Sequence, residues 1–262
     1  MSELSRDPGP DPGSTSVTAG GPPAGGAAPA GGWTTATVAG LRRPIVRSVE
    51  LRLDVHDRVD HLPGQHYVVR LTAEDGYTAQ RSYSVASAPG DPLVELFVER
   101  LDDGEVSTYL ADVVEPGDEL EVRGPIGGWF AWDGSTPALL VGGGSGVVPL
   151  VAMVRHARAL GRLDLLRVAV SARTLAELPY ADELVEAGAL VALTREAHGI
   201  RPAARLTAMD LLPLWEPGQT AFVCGSTGFA EAAGQLLVGL GVAAADIRVE
   251  RFGASGQPVL GG

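Results

Sequence analysis

Near Gly134 the hydrophobic pattern of this chain changes its period, and that switch restricts the possible folds more than any other feature. Upstream, from Trp33 to about Asp133, short runs rich in β-branched residues are separated by turn signals such as Pro63-Gly64, Ala88-Pro89-Gly90-Asp91 and Glu115-Pro116-Gly117-Asp118. The expected strands are Thr34 to Leu41, Val46 to Val55, His66 to Leu71, Tyr83 to Ala86, Val94 to Arg100 and Glu119 to Arg123. Strands this short, joined by tight turns, predict a small antiparallel β-barrel. Downstream, Ala138 to Val141 is an apolar run, Gly142 to Gly146 is a glycine turn, and Leu150 to Leu160 has helical spacing. The alternation continues with strands at Leu165 to Ala172, Leu190 to Thr194, Ala221 to Cys224 and Asp246 to Arg251, and helices at Ala181 to Ala187 and Phe229 to Leu240. Strands alternating with helices predict a doubly wound α/β parallel sheet. The expected organisation is therefore a barrel over 33–133 and an α/β domain over 137–253, with tails at 1–32 and 254–262.

The first tail is rich in Gly, Pro, Ser and Ala and has no apolar periodicity, so disorder is expected there, without a secretory signal. No apolar run is long enough to span a bilayer, which leads to the expectation of a cytoplasmic protein. The formal charge of −12 argues against nucleic acid as a partner. The single cysteine, Cys224, excludes an internal disulfide and a four-cysteine iron–sulfur site, and no metal site is expected.

Two stretches of the first half carry candidate chemistry. Arg81-Ser82-Tyr83-Ser84 gathers a cation, an aromatic ring and two hydroxyls; a guanidinium suits a phosphate, a phenol ring suits a flat heterocycle, and a hydroxyl can bond a ring nitrogen. The alternative is an ordinary surface strand. Further on, Ser107 is the expected N-cap of a helix over Thr108 to Val114. The preceding Gly104-Glu105-Val106 would then leave amides free at a helix start, a site for an anion.

In the second half the glycine turn sits between a strand and a helix, where a pyrophosphate can approach the backbone and the helix start supplies positive potential. Its spacing differs from G-x-G-x-x-G. Ser171, Arg173, Thr194, Arg195 and Cys224 fall near strand ends, on the rim where ligands gather in such sheets.

Taken together, residues Trp33 to Phe252 resemble the ferredoxin-NADP(+) reductase family of flavoprotein reductases, without a fused iron–sulfur domain. The resemblance implies an enzyme with FAD as cofactor and NADPH, or NADH, as co-substrate. It implies that Tyr83 stacks on the flavin, that Ser84 lies near its N5, that Arg81 and the segment Gly104, Val106 and Ser107 hold its phosphates, and that Ser82 belongs to the same cofactor-binding motif. Pro63-Gly64-Gln65 is similar to the turn before the flavin-facing strand. Gly143, Gly144, Ser145 and Gly146 would cradle the nicotinamide dinucleotide, Cys224 and Gly225 would face its nicotinamide, and Glu250 and Phe252 correspond to a terminal Glu-x-aromatic. Ser84, Cys224 and Glu250 are the implied catalytic residues. Unlike those relatives, this chain continues past Phe252.

A 2′-phosphate on the ribose calls for arginine forks, a free diol for a carboxylate. Arg173, Arg195 and Arg205 fit the first, and no acidic residue is expected at the strand end after Ser171, so NADPH is favoured. The implied partner is a separate redox protein, such as a ferredoxin, a flavodoxin or an oxygenase component. Arg42, Arg43 and Arg47 are candidates for a basic docking patch. The alternatives are a ferric-chelate or free-flavin reductase and a non-catalytic redox sensor.

Overall fold

The computed structural model describes residues 32–252, so both terminal tails lie outside the described residues. The first unit has six strands, β1 (Thr34–Arg42), β2 (Ser48–Val55), β3 (His66–Thr72), β4 (Thr78–Ser84), β5 (Val94–Glu99) and β6 (Glu119–Ile126), with helix α1 (Glu105–Asp112) before β6. They are ordered β4-β3-β6-β1-β2-β5, and every neighbouring pair is antiparallel. A bridge from Val85 to Leu96 joins the two outer strands and closes the barrel. Alternate residues fill its interior, among them Val38, Leu51, Leu53, Tyr67, Val69, Leu96 and Val122, while Val106, Leu110 and Ala111 of α1 plug it.

Two of the boundaries that differ from the sequence expectation bear on the site. Strand β4 runs over Thr78–Ser84 rather than Tyr83 to Ala86. Its segment Thr-Ala-Gln-Arg-Ser carries no apolar alternation, and only the hairpin partner β3 makes it a strand. Helix α1 starts at Glu105 and is preceded by Gly104, so Ser107 is not its N-cap.

The second unit contains β7 (Ala138–Gly143), α2 (Val148–Ala159), β8 (Leu166–Ala172), α3 (Ala181–Glu186), β9 (Leu190–Leu193), α4 (Ala208–Leu211), β10 (Thr220–Ser226), α5 (Thr227–Gly239) and β11 (Ile247–Phe252). The five strands lie in the order β9-β8-β7-β10-β11 and all pair in parallel. One face of the sheet, including Leu140, Val170 and Phe222, packs against α2; the other, including Leu139, Val141 and Val223, packs against α5. Burial on both faces explains the near-continuous apolar strands. The order reverses at β7, whose neighbours are β8 and β10, which opens a crevice at the carboxyl ends of those strands. Pro149, in the first turn of α2, lets that helix begin at Val148 rather than Leu150.

The units meet where Ala86, Phe97 and Val148 bury one another, with Ile45 and Tyr180 at the margin. Phe97 and Glu95 alternate outward from the barrel interior, yet both are buried, because the second unit covers that wall.

Candidate flavin and dinucleotide site

The β3–β4 ladder runs from His66–Ser84 to Thr72–Thr78 without a register slip. Arg81 and Tyr83 therefore share one face of the sheet, and Ser82 and Ser84 the other. Tyr83 is half-buried against the barrel core. Its hydroxyl is buried with no hydrogen-bond partner among the described residues, and burial pushes its pKa well above the ordinary phenol value, so the group stays neutral. The buried Ser84 Oγ also has no partner. Arg81 and Ser82 are exposed, and Arg81 Nη1 donates to its neighbour's Gln80 carbonyl at 2.7 Å. Buried hydroxyls without partners are unfavourable, so this strand end fits a polar heterocycle that supplies them.

Helix α1 contacts β4, and its first residue, Glu105, meets Tyr77 just ahead of that strand. No side chain caps the helix. Ser107 Oγ instead accepts from the Leu101 amide at 3.2 Å and donates to the Gly104 carbonyl at 3.1 Å, bracing the turn from inside. What Val106 and Ser107 offer an anion is therefore backbone amide, not hydroxyl, whereas the Gly104 amide already donates to the Leu101 carbonyl at 3.1 Å. Glu105 is turned to the Tyr77 hydroxyl, which donates to it at 3.1 Å. The turn Pro63-Gly64-Gln65 is structural: Gln65 Oε1 accepts from the Leu62 amide at 2.7 Å, and its side-chain amide donates to the Gly127 carbonyl.

On the sheet side, β7 ends at Gly143, and Gly144–Val147 form one tight helical turn ahead of α2. A side chain at Gly146 would lie 2.5 Å from Gly225 Cα, and one at Gly143 2.6 Å from the Phe229 ring. These glycines thus serve close packing against β10 and α5 as well as any ligand. Phe229, which the sequence reading overlooked, roofs both Gly143 and Gly225. No local signal marks it, since it reads as one more apolar position of a helix.

Cys224 of β10 and Glu250 of β11 are register partners. Cys224 is fully buried, and burial followed by the Glu250 charge drives its thiol pKa well up. It is a neutral thiol wall rather than a nucleophile or base. Burial raises the Glu250 pKa to about 7, and its Oε2 has no partner among the described residues. Phe252 pairs with Ser226 and is half-buried against the α2-side core. No hydrogen bond among the described residues joins Ser84 to Cys224 or Glu250.

Ser171 is buried in β8 between Gly143 and Ala192. Arg173, Arg195 and Arg205 are exposed at the rim, with the Arg195 amide bonded to the Arg173 carbonyl at 2.9 Å. The strand end after Ser171 carries no acidic residue, but two acids reach the rim from further along the chain. Glu177 approaches Arg173 to 3.9 Å, and Glu196 accepts from the Leu175 amide at 2.7 Å, because the loop after β8 folds back on the end of β9. Two of the three arginines of the candidate basic patch are paired with carboxylates. Arg42 pairs with Glu50 at 2.8 Å, Arg47 pairs with Asp102, and Arg43 donates to the Ala111 carbonyl at 2.8 Å.

Residues 44–130 match the family described as an oxidoreductase FAD-binding domain. These residues carry the FAD-binding domain of an oxidoreductase. This flavoprotein is 28% identical over 219 residues to the ferredoxin--NAD(P)(+) reductase component of naphthalene 1,2-dioxygenase/salicylate 5-hydroxylase systems of Ralstonia sp, covering 79% of this chain and 65% of that protein. It is 30% identical over 209 residues to the ferredoxin reductase component of 3-ketosteroid-9-alpha-monooxygenase of Mycolicibacterium smegmatis, covering 75% of this chain and 57% of that one. The chain thus spans less than two thirds of either relative. Its fold matches a ferredoxin NADP+ reductase of Neisseria gonorrhoeae, solved with FAD and NADP bound, at a TM-score of 0.71 and 18% identity, over 84% of this chain and 98% of that one. The unpartnered Tyr83 and Ser84 hydroxyls and the uncapped start of α1 fit FAD. No described helix of the flavoprotein is long and apolar enough to cross a membrane.

Proposed function

We propose that this chain takes reducing equivalents from NADPH or NADH onto FAD and hands electrons to a separate acceptor. The observation that carries the reading is a contact. Ala86, two residues past Ser84, packs on Val148, which follows the glycine turn, so the end of the flavin strand abuts the start of the dinucleotide helix. Bound flavin supplies a group that takes two electrons together and releases them singly.

The residues of the chain bind, orient and exclude water around that group. The Tyr83 ring offers a stacking face, and the Ser84 hydroxyl a hydrogen bond at the ring edge. Arg81 and the amides of α1 balance diphosphate charge. Gly143 to Gly146 accept the nicotinamide dinucleotide. Cys224, Gly225 and Phe252 wall the reacting end, and Glu250, poised near neutrality, can hold or release a proton there. The relatives named as reductase components of oxygenase systems support a protein acceptor such as a ferredoxin or an oxygenase component.

Anaerobic mixing with NADPH or NADH, then with ferredoxin, ferric chelate or free FAD, tests the reading. Bleaching of bound flavin followed by rapid reoxidation by one acceptor is the expected outcome; purified protein that takes up no FAD defeats it. The rim supports a second reading for the co-substrate, because Glu177 can receive a free 2′-hydroxyl where Arg195 would receive a 2′-phosphate. Arg195→Ala is expected to raise KM for NADPH about tenfold with KM for NADH unchanged. Equal changes in both remove Arg195 from phosphate binding and favour NADH.

A further inference from the structure

A single guanidinium ties the barrel to the sheet. Arg155 belongs to α2, and its side chain is only 16% exposed. Its Nη1 donates to the Ala86 carbonyl at 3.0 Å and to Glu95 Oε1 at 2.9 Å, both in the barrel unit. Its Nε and Nη2 donate to the two oxygens of Glu183 in α3 at 2.8 and 2.6 Å. Tyr180 donates its hydroxyl to the same Glu95 oxygen at 3.0 Å, and its ring lies 4.9 Å from the Arg155 guanidinium carbon. Tyr180 sits at φ 55°, an unfavourable backbone region for a bulky side chain. It is held there by Glu95 on one side and by Phe97, with ring centroids 5.9 Å apart, on the other.

Glu95 points outward from the barrel sheet and would be solvated if the barrel stood alone. Its burial and its partners exist only because the units are docked. Buried ion pairs contribute little net stability compared with apolar packing, but their directed hydrogen bonds fix geometry. Here the geometry fixed is that of the site. Arg155 holds the carbonyl of Ala86, two residues beyond Ser84, and it projects from the helix that the glycine turn leads into.

We propose that Arg155 is a positioning residue that sets the spacing between the flavin-holding strand end at Tyr83 to Ala86 and the dinucleotide-holding turn at Gly143 to Gly146. The inference rests on the function proposed above. In that reaction the nicotinamide C4–H bond breaks, its electron pair and hydrogen pass to the flavin, and the nicotinamide is left oxidised. Misplacement of the two rings by about an ångström slows such a transfer on the order of 100-fold.

Arg155→Met keeps the length of the side chain and removes its charge and donors, and Arg155→Lys keeps the charge alone. The Met variant is expected to bind FAD and NADP+ within about twofold of the wild type. It should lose the long-wavelength absorbance of nicotinamide stacked on flavin, and its flavin should be reduced about 100-fold more slowly in anaerobic stopped flow. The Lys variant should recover part of the rate. Unchanged absorbance and rate in the Met variant overturn the proposal, and so does a matching loss of FAD affinity, which would make Arg155 a support of the barrel. Calorimetry of cofactor-free protein reads the tether separately, with one unfolding transition expected in the wild type and two in Arg155→Met. One transition in both overturns the tether. A wild type that binds no FAD but shows this split defeats the function and leaves the tether standing. Should Arg155→Met fail to fold, Glu183→Gln, which leaves the barrel untouched, carries the same measurements with a reduction about tenfold slower expected.

Discussion

Tyr83 combines an aromatic face with a buried hydroxyl that nothing among the described residues satisfies. Stacking contributes about 1 kcal/mol beyond area burial, so Tyr83→Ala should raise the FAD dissociation constant at least about fivefold, while Tyr83→Phe, which keeps the ring and loses only the hydroxyl's hydrogen bond, should raise it less; a cofactor titration followed by flavin fluorescence measures both. Glu250 invites a pH experiment. Its pKa in the fold, about 7, lies above the usual 4.5, so the folded protein holds its proton more tightly than the unfolded chain does. The stability this group contributes is therefore fully present below about pH 4.5 and is lost as pH rises through about 7. Urea unfolding of cofactor-free protein should show wild-type stability falling across that window by up to about 3 kcal/mol relative to Glu250→Gln, which has no proton to lose there. Equal slopes for both would show that the carboxyl is solvated. The sequence marked Glu250 as a candidate by its place in a motif. Its raised pKa was not legible there, because desolvation comes from the whole chain around it.

At the scale of elements, the strand-to-helix turn after β7 is squeezed between the sheet and α2. Its glycines were legible as a nucleotide turn, but their packing against Cys224, Gly225 and Phe229 was not, since those neighbours come from about 80 residues away. A methyl at Gly146 meets backbone, which cannot swing aside as a side chain can. Gly146→Ala should therefore destabilise the protein by about 1–3 kcal/mol, measured by thermal or urea unfolding, and raise KM for the nicotinamide co-substrate. Wild-type stability in this variant would mean that the turn is looser than described. Helix α1 teaches a similar lesson. Ser107 has the chemistry of an N-cap, and sequence reasoning put it there. The chain enters the helix earlier because Ser107 Oγ closes the preceding turn onto Leu101 and Gly104.

For the whole molecule, the formal charge of −12 repels an acidic partner, and two of the arginines that could have offset it near β1, Arg42 and Arg47, are paired with Glu50 and Asp102. Electron transfer to a strongly acidic ferredoxin should accelerate as salt rises from about 0.01 to 0.15 M, while transfer to an uncharged quinone should not change. A rate to ferredoxin that falls with salt would reveal a local basic docking face instead. The sequence by itself determined the two architectures, through a hydrophobic period of two before Gly134 and a strand–helix alternation after it, and it marked Tyr83, Ser84 and the glycine turn by residue type. Those are local properties, written in neighbouring residues. Only the tertiary structure decided that Glu95, Tyr180, Arg155 and Glu183 form one buried cluster, that Glu177 and Glu196 share the rim with Arg173 and Arg195, and that Cys224 lies beside Glu250. Burial and charge pairing depend on which distant segments the fold brings together, and no local pattern encodes that.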